Sequence, residues 1–335
     1  MRPFRFFGVA AAGPVGVREI VDTARMAEAA GFTGLVLPDH LLEQHAPIPV
    51  LATVAAKTER LRIMPFVLNT GLRHPAVVAQ DLASLDVVSG GRLEIGLGAG
   101  WNRIEHDAIG IPFEPAARRV DRLAEAIEVI KGCMAPGPFS YRGEFYTLER
   151  HDGYPKPVQQ PHPPLFIGGG GRRVLTLAGR HADTVGLAPR VLSRAGAGTG
   201  TGASPDAHSL TRAAAASPDA HSITLAAAEE KVAWVRAAAG DRFDRIELNV
   251  YPSGGPLVVT AGSIALARER ADNLRRLTGV ELTTTEILES PHVFIGSVDE
   301  LVDKIQSLRA RLGVSSFMLG DVGTAAPIVE RLASR

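Results

Sequence analysis

The 335-residue chain has one cysteine, Cys133, so it can form no intrachain disulfide, and nothing in it points to an oxidising compartment. It also has no net charge, with 36 basic residues against 36 acidic ones. Such a balance creates no field that would draw nucleic acid or an anionic membrane surface, and leaves a small molecule as the default partner. Apolar runs of the roughly 18 to 20 residues needed to span a bilayer are missing, and the first residues lead into a strand-type segment rather than a signal peptide. A metal-dependent barrel hydrolase would carry His-x-His near the end of the first strand, but residues 9–13 hold no such ligands, so no metal is expected. These absences together predict a cytoplasmic protein with neither a nucleic-acid nor a membrane partner.

What the sequence does have is alternation. Short β-type runs at 4–9, 34–37, 61–68, 92–98, 164–168, 183–187, 245–250 and 315–319 are separated by longer helical runs, the pattern of a parallel sheet made of βαβ units. Residues 17–30 put Ile20, Val21, Ala24 and Ala27 on one apolar arc and stop at Gly31. Pro75 opens a second helix that ends at Gly90-Gly91, and 118–134, 263–277 and 298–312 repeat the helical period. Eight strands and as many helical segments favour a closed (β/α)8 TIM barrel over an open doubly wound sheet, spanning residues 1–335 as one domain.

Three stretches, 136–163, 188–222 and 251–291, read as insertions. The first contains a hairpin over 139–146 that turns at Arg142-Gly143. The second contains a tandem repeat: Ala203-Ser-Pro-Asp-Ala-His-Ser-Leu-Thr211 returns as Ala216-Ser-Pro-Asp-Ala-His-Ser-Ile-Thr224. Having little to bury, it reads as a mobile loop and, on the functional side, as an active-site lid. His208 and His221 in it read as solvated side chains.

In a parallel barrel the chemistry sits at the C-terminal strand ends, and four such places stand out. The first is Leu165-Phe-Ile followed by Gly168, Gly169, Gly170, Gly171, Arg172 and Arg173, where bare backbone N–H groups and a helix start suit a phosphate. A tight strand-to-helix turn explains one or two of these glycines, and a dinucleotide-binding fingerprint fits poorly because Asp183 begins the next strand instead of ending it. The second is Pro38-Asp39-His40, a carboxylate and an imidazole that serve either in catalysis and cofactor contact or as a turn and cap. The third and fourth are the segment containing Phe66, Val67 and Asn69, and Gly96-Leu-Gly98-Ala-Gly100-Trp101-Asn102. Glycines alternating there admit either a flat ligand against the backbone or close packing inside the barrel.

Taken together, Ala27-Glu-Ala-Ala-Gly-Phe-Thr-Gly34, Pro38-Asp-His40, the run from Arg73 to Asp86, the run from Ser89 to Trp101, Ile167 to Gly171, Ala178-Gly-Arg-His-Ala-Asp183 and Ile295-Gly-Ser-Val-Asp299 resemble the luciferase-like monooxygenase superfamily. That resemblance implies a flavin-type cofactor, either coenzyme F420 or FMN with oxygen, and Asp39-His40 resembles the F420 branch. It implies His40 as the catalytic proton carrier, with Asp39, Phe66, Val67, Asn69, Gly98, Trp101 and Asn102 around the ring. It places the phosphate on Gly168, Gly169, Gly170, Gly171 and Arg172, and a non-proline cis peptide near Phe66-Val67. It also implies a homodimer and a reductase that supplies reduced cofactor. One departure is Trp101, which stands where the sugar-phosphate dehydrogenases of that branch have glutamate and so argues against a phosphorylated sugar as substrate. A non-catalytic barrel that only binds a cofactor is the reading from a different class.

Overall fold

A computed structural model describes residues 2–11, 13–193, 216–253 and 255–333. The strands that build the barrel are β1 (Arg5–Val9), β2 (Gly34–Leu37), β3 in two pieces (Arg62–Pro65 and Leu68–Asn69), β4 (Ile95–Gly98), β5 (Leu165–Gly169), β6 (Thr184–Leu187), β7 (Glu247–Val250) and β8 (Val314–Gly320). All pair in parallel, in the order β3-β2-β1-β8-β7-β6-β5-β4. The first piece of β3 pairs with β2 through Gly34↔Arg62 to Leu37↔Pro65, and the second pairs with β4 through Leu68↔Leu97 and Asn69↔Gly98. Since the two pieces are one strand, and Ile63 also bridges Leu93, the ring closes as the expected eight-stranded barrel.

The pieces of β3 are separated by Phe66-Val67, whose peptide bond is cis as the resemblance implied. β4 accommodates the break by lacking side chains. A Cβ at Gly96 would lie 1.9 Å from the Pro65 carbonyl oxygen, and one at Gly98 would lie 2.5 Å from a Val67 methyl. Close packing inside the barrel thus accounts for both glycines without a ligand.

The outer helices follow their sequence punctuation. Helix α1 (Val17–Ala29) buries Ile20, Ala24 and Ala27 and is followed by left-handed Gly31. Beyond α2 (Pro47–Lys57), α3 (Pro75–Val88) opens with Pro75 behind an N-capping His74. Next come α4 (Arg103–Ala108), α5 (Ala116–Met134), α6 (Arg172–His181), α7 (Leu225–Ala239), α8 (Ser263–Thr278) and α9 (Thr284–Glu289). Helix α10 (Val298–Leu312) starts with a Ser297/Glu300 capping box, ends at left-handed Gly313 and is followed by α11 (Val322–Leu332).

At the N-terminal end of the barrel the charges pair among themselves. Arg5 bonds Glu94 and Glu247, the latter at 2.7 Å, and Arg62 also bonds Glu94. Two arginines thus meet two buried carboxylates, so these charges of the barrel floor are matched among themselves.

The first inserted segment forms the hairpin Phe139–Arg142 against Thr147–His151, whose second arm runs past the expected Tyr146. In the second, Val191–Ser193 pairs antiparallel with Ala216–Pro218, and the second repeat copy continues into a 3-10 turn, Ala220–Ile223. Its described part is regular because Ala220 and Ile223 bury against α8 and α9 in a satellite core, and most of the stretch read as a mobile loop or lid lies outside the described residues. The first copy, with His208, lies outside the described residues. Within the third segment, α8 is joined by α9 and a two-residue pairing of Val258–Val259 with Ile295–Gly296.

His292 is fully buried beside that third segment. Its Nδ1 lies 3.2 Å from the Tyr251 carbonyl oxygen, and its Nε2 has no partner among the described residues. Burial, with the positive charge of Lys231 adding to it, pushes the imidazole down to about 3. A neutral folded-state ring contributes stability that is complete above its ordinary value of 6.5 and is lost as the pH falls from there toward 3. Melting temperature should accordingly drop through this window, and His292→Asn should flatten the drop; a pH series of thermal melts reads it. Gly96→Ala should cost about 3 kcal/mol in urea unfolding, because the methyl meets a backbone carbonyl that cannot step aside.

Candidate active site

Asp39 and His40 follow β2 directly at the C-terminal mouth of the barrel, yet they face different partners. The Asp39 carboxylate, 4% exposed, accepts two N–H bonds from Arg73 at 2.5 and 2.8 Å and one from the Asn69 backbone at 3.0 Å. It is a clamp joining the ends of β2 and β3. The carboxylate that orients His40 is instead that of Glu105, whose Oε1 lies 2.8 Å from His40 Nδ1. Asp39, the carboxylate next to His40 in sequence, is thus not the one that orients the imidazole, and the reason is geometric: Arg73 offers Asp39 a bidentate fork.

Glu105 belongs to the first turn of α4 and is 3% exposed. Asn102 caps that helix through Oδ1, which accepts from the Ile104 N–H, while its Nδ2 donates to Glu105 Oε1 at 2.8 Å. Asn102, expected at the ring, therefore fixes the carboxylate that fixes the histidine. With Nδ1–H donated to Glu105, the His40 lone pair sits on Nε2, which has no protein partner among the described residues. Trp101 meets the imidazole edge-on at 5.5 Å between centroids and remains 39% exposed.

Asn69 has its polar atoms engaged. Its Oδ1 accepts from the Gly71 N–H at 2.9 Å, and its Nδ2 lies 3.0 Å from His106 Nε2. A Cβ on Gly100, whose φ is +73°, would lie 2.5 Å from that same Oδ1. Phe66 and Val67 project from the break in β3 onto an apolar cluster of Phe7, Val36, Met64 and Phe166, with Met318 alongside. The Phe66 ring lies 5.0 Å from Phe166 and 5.3 Å from Tyr251. Burial pushes the Tyr251 phenol up to about 12, so it remains a neutral group beside this apolar floor.

The glycines after β5 divide into two kinds. A Cβ at Gly169 would lie 2.2 Å from a Val174 methyl, and one at Gly170 would lie 2.4 Å from the Pro189 carbonyl oxygen, so packing requires both. Gly168 is tighter than usual, with Phe166 at 3.2 Å, whereas a Cβ at Gly171 would meet nothing within 4 Å. Gly171 is the N-cap of α6, no side chain caps that helix, and the first-turn N–H groups are the ones a helix leaves without internal partners. Arg173 is ion-paired with Asp121, while exposed Arg172 has no partner among the described residues. Open space, bare N–H groups and an unengaged guanidinium at one helix start fit a phosphate. Among the described residues no three His, Cys, Asp or Glu side chains gather as a metal site, and no helix is long and apolar enough to cross a membrane.

A family model described as luciferase-like monooxygenase matches residues 2–316. The chain is 35% identical over 189 residues to an F420-dependent glucose-6-phosphate dehydrogenase of Microbacterium testaceum, covering 54% of this chain and 55% of that protein. It is 35% identical over 140 residues to an FMNH(2)-dependent dimethylsulfone monooxygenase of Pseudomonas putida, covering 42% and 38% respectively. The chain thus spans about half the length of the first relative or less of the second. In fold it is similar to an F420-dependent secondary alcohol dehydrogenase solved with an F420-acetone adduct, with a TM-score of 0.74 at 18% identity and full coverage of both chains. It is also similar to the coenzyme F420-dependent tetrahydromethanopterin reductase of Methanopyrus kandleri, with a TM-score of 0.73 at 20% identity over 99% and 98% of the two chains.

Replacing Glu105 with Gln should release the tautomer preference of His40. The imidazole nitrogen shifts in 15N NMR spectra should then move toward a mixture of the two neutral forms, while the Asp39–Arg73 clamp and the melting temperature stay close to those of the parent.

Proposed function

The chain belongs to the luciferase-like monooxygenase family, and on that premise we propose that it is an F420-dependent oxidoreductase acting on a small organic substrate. The observation that carries this reading is the His40–Glu105 pair: a buried carboxylate holds one imidazole nitrogen and leaves the other without a partner among the described residues. The deazaflavin, when bound, exchanges a hydride with the substrate at its C5 carbon. All else falls to the chain's own residues.

His40 Nε2 takes the proton from a substrate hydroxyl in the oxidative direction and returns it in the reductive one. Glu105 keeps the ring oriented and stabilises its charge while it holds that proton, in the manner of a carboxylate-supported general base. Phe66 and Val67 offer an apolar support to a flat ring system, and the neutral Tyr251 closes the floor beneath Phe66. Gly171, the first turn of α6 and Arg172 would hold the phosphate, with Gly168, Gly169 and Gly170 keeping side chains out of the approach. Asp39, Asn69, Gly98 and Asn102 act mainly by fixing the loops around the ring, and Trp101 walls the mouth beside His40. The reading includes a reductase or dehydrogenase partner that regenerates the cofactor, and a homodimer as the assembly. Glu105 also weakens the argument drawn from Trp101 against a phosphorylated sugar, since the missing glutamate does not leave the site without a carboxylate.

The second reading is an FMN-dependent monooxygenase supplied with reduced flavin, favoured by the likeness to the dimethylsulfone monooxygenase. Fluorescence titration separates the two: tight F420 binding with no measurable FMN binding supports the proposal, and the reverse pattern overturns it in favour of the monooxygenase. With a turned-over substrate in hand, His40→Ala should lower kcat by about a hundredfold or more, the ordinary contribution of a positioned acid–base group. Unchanged turnover would mean that the proton is carried elsewhere.

A further inference from the structure

Beside the catalytic mouth, on the far side of the loop that follows β4, lies a cavity of about 180 Å³ lined by Gly71, Ala99, His106, Ile111, Pro112, Glu114, Arg119 and Arg122. This is room for roughly six waters at about 30 Å³ each. None of His40, Trp101 or Glu105 lines it.

The polar groups of the cavity do not balance. Glu114 is fully engaged: Arg122 donates to it at 2.8 and 2.9 Å, and Arg118 at 3.0 Å. Arg119 has no such partner. Its Nε donates to the Gly100 carbonyl at 3.3 Å and its Nη1 to the Glu114 carbonyl, its guanidinium sits 3.9 Å over the Phe113 ring, and among the described residues no carboxylate lies within ion-pair distance of it. His106 is 2% exposed, with Nε2 against Asn69 and with Nδ1 buried without a partner among the described residues. A buried polar nitrogen left unmatched costs free energy, part of which an arriving acceptor or donor recovers. The cavity lining sets two guanidinium groups, Arg119 and Arg122, against the single Glu114 carboxylate, whose charge also reaches Arg119; that excess of positive charge, the His106 ring in the lining, and Ile111 and Pro112 as apolar wall suit an anionic head on a compact apolar body.

We propose that this cavity binds a small organic carboxylate, with Arg119 and His106 at the carboxylate and Ile111 and Pro112 against its hydrocarbon part. The site adjoins the catalytic mouth through two bonds, Arg119 to the Gly100 carbonyl and His106 to Asn69, and so lies where an occupant touches both loops that frame it. The assignment does not depend on which cofactor the barrel takes.

The test is calorimetric titration of the full chain, without cofactor, with benzoate and with its neutral analogue benzamide. The 15N spectrum of the His106 ring is followed in parallel. Expected is saturable binding of benzoate at one site, a shift of the His106 nitrogens, and binding of benzamide at least about tenfold weaker, a difference of roughly 1.4 kcal/mol. Arg119→Met should weaken benzoate by a similar factor. Because that change also removes a loop bond, Ile111→Trp serves as a second variant that fills the cavity while leaving Arg119 in place, with the melting temperature checking each fold. His40→Ala should leave benzoate affinity unchanged. Absence of saturable binding overturns the proposal. So does equal affinity for benzamide, indifference to both cavity variants in folded protein, or loss of binding in His40→Ala, which would put the ligand in the catalytic mouth. Failure of F420 to bind bears on the functional reading alone and leaves this result standing.

Discussion

The close approach of β3 and β4 where β3 breaks constrains the rest of the mouth. Two strands cannot draw together around an interruption if either carries side chains there, and Gly96 and Gly98 remove them. The second piece of β3 then delivers Asn69 to a position where its backbone N–H reaches Asp39 and its side chain reaches Gly71 and His106. Asp39 in turn holds Arg73. The ends of three adjacent strands are thereby tied through one asparagine, and the loop from Gly100 to Asn102 is left with a defined path into α4. Glu105 reaches His40 because that path is defined. A larger residue in the middle of β4 would meet the Pro65 carbonyl or the Val67 side chain and so disturb the path that brings the carboxylate to the imidazole.

Charge is distributed differently at the two ends of the barrel. At the floor, Arg5 and Arg62 are matched by Glu94 and Glu247, which suits a structural plug whose carboxylates are nearly buried. At the mouth, Asp39 is matched by Arg73, but His40 Nε2, Arg172 and the first turn of α6, like Arg119 in the cavity beside the mouth, keep unspent donor or acceptor capacity among the described residues. Groups left unmatched together on one face of a protein mark where ligands are expected to complete the hydrogen bonding.

The sequence announced the site by its punctuation, and the punctuation carried two meanings. Of the seven glycines singled out, Gly96, Gly98, Gly169 and Gly170 are required by packing, Gly168 sits tightly against Phe166, Gly100 is required by its positive φ and contact with Asn69, and Gly171 alone opens onto free space. A run of glycines in a string of letters cannot say whether the missing Cβ makes room for a neighbour or for a ligand. Glu105 was passed over for the opposite reason. It stands in a short polar helix of ordinary composition, and its only signal was the N-capping Asn102 three residues before it, which places an acidic side chain on the first turn. Among the helices, α2 and α7 lacked legible periodicity because proline and alanine fill them with weakly patterned apolar residues.

Sequence alone determined the barrel, its eight strands, the helix stops at Gly31 and Gly90-Gly91, the placement of His40 at a strand end and the helix start that suits a phosphate. All of these rest on local chemistry: the period of apolar residues, the φ freedom of glycine, the fixed φ of proline. Only the tertiary structure decided which carboxylate serves His40, that Asp39 is a clamp, that Asn102 and Asn69 act through their neighbours, and that Arg119 and His106 share a cavity. His40 and Glu105 stand 65 positions apart, Asn69 and His106 37, and Asp39 and Asn69 30, and a hydrogen bond between such residues depends on the closure of the strands between them, which no local pattern encodes.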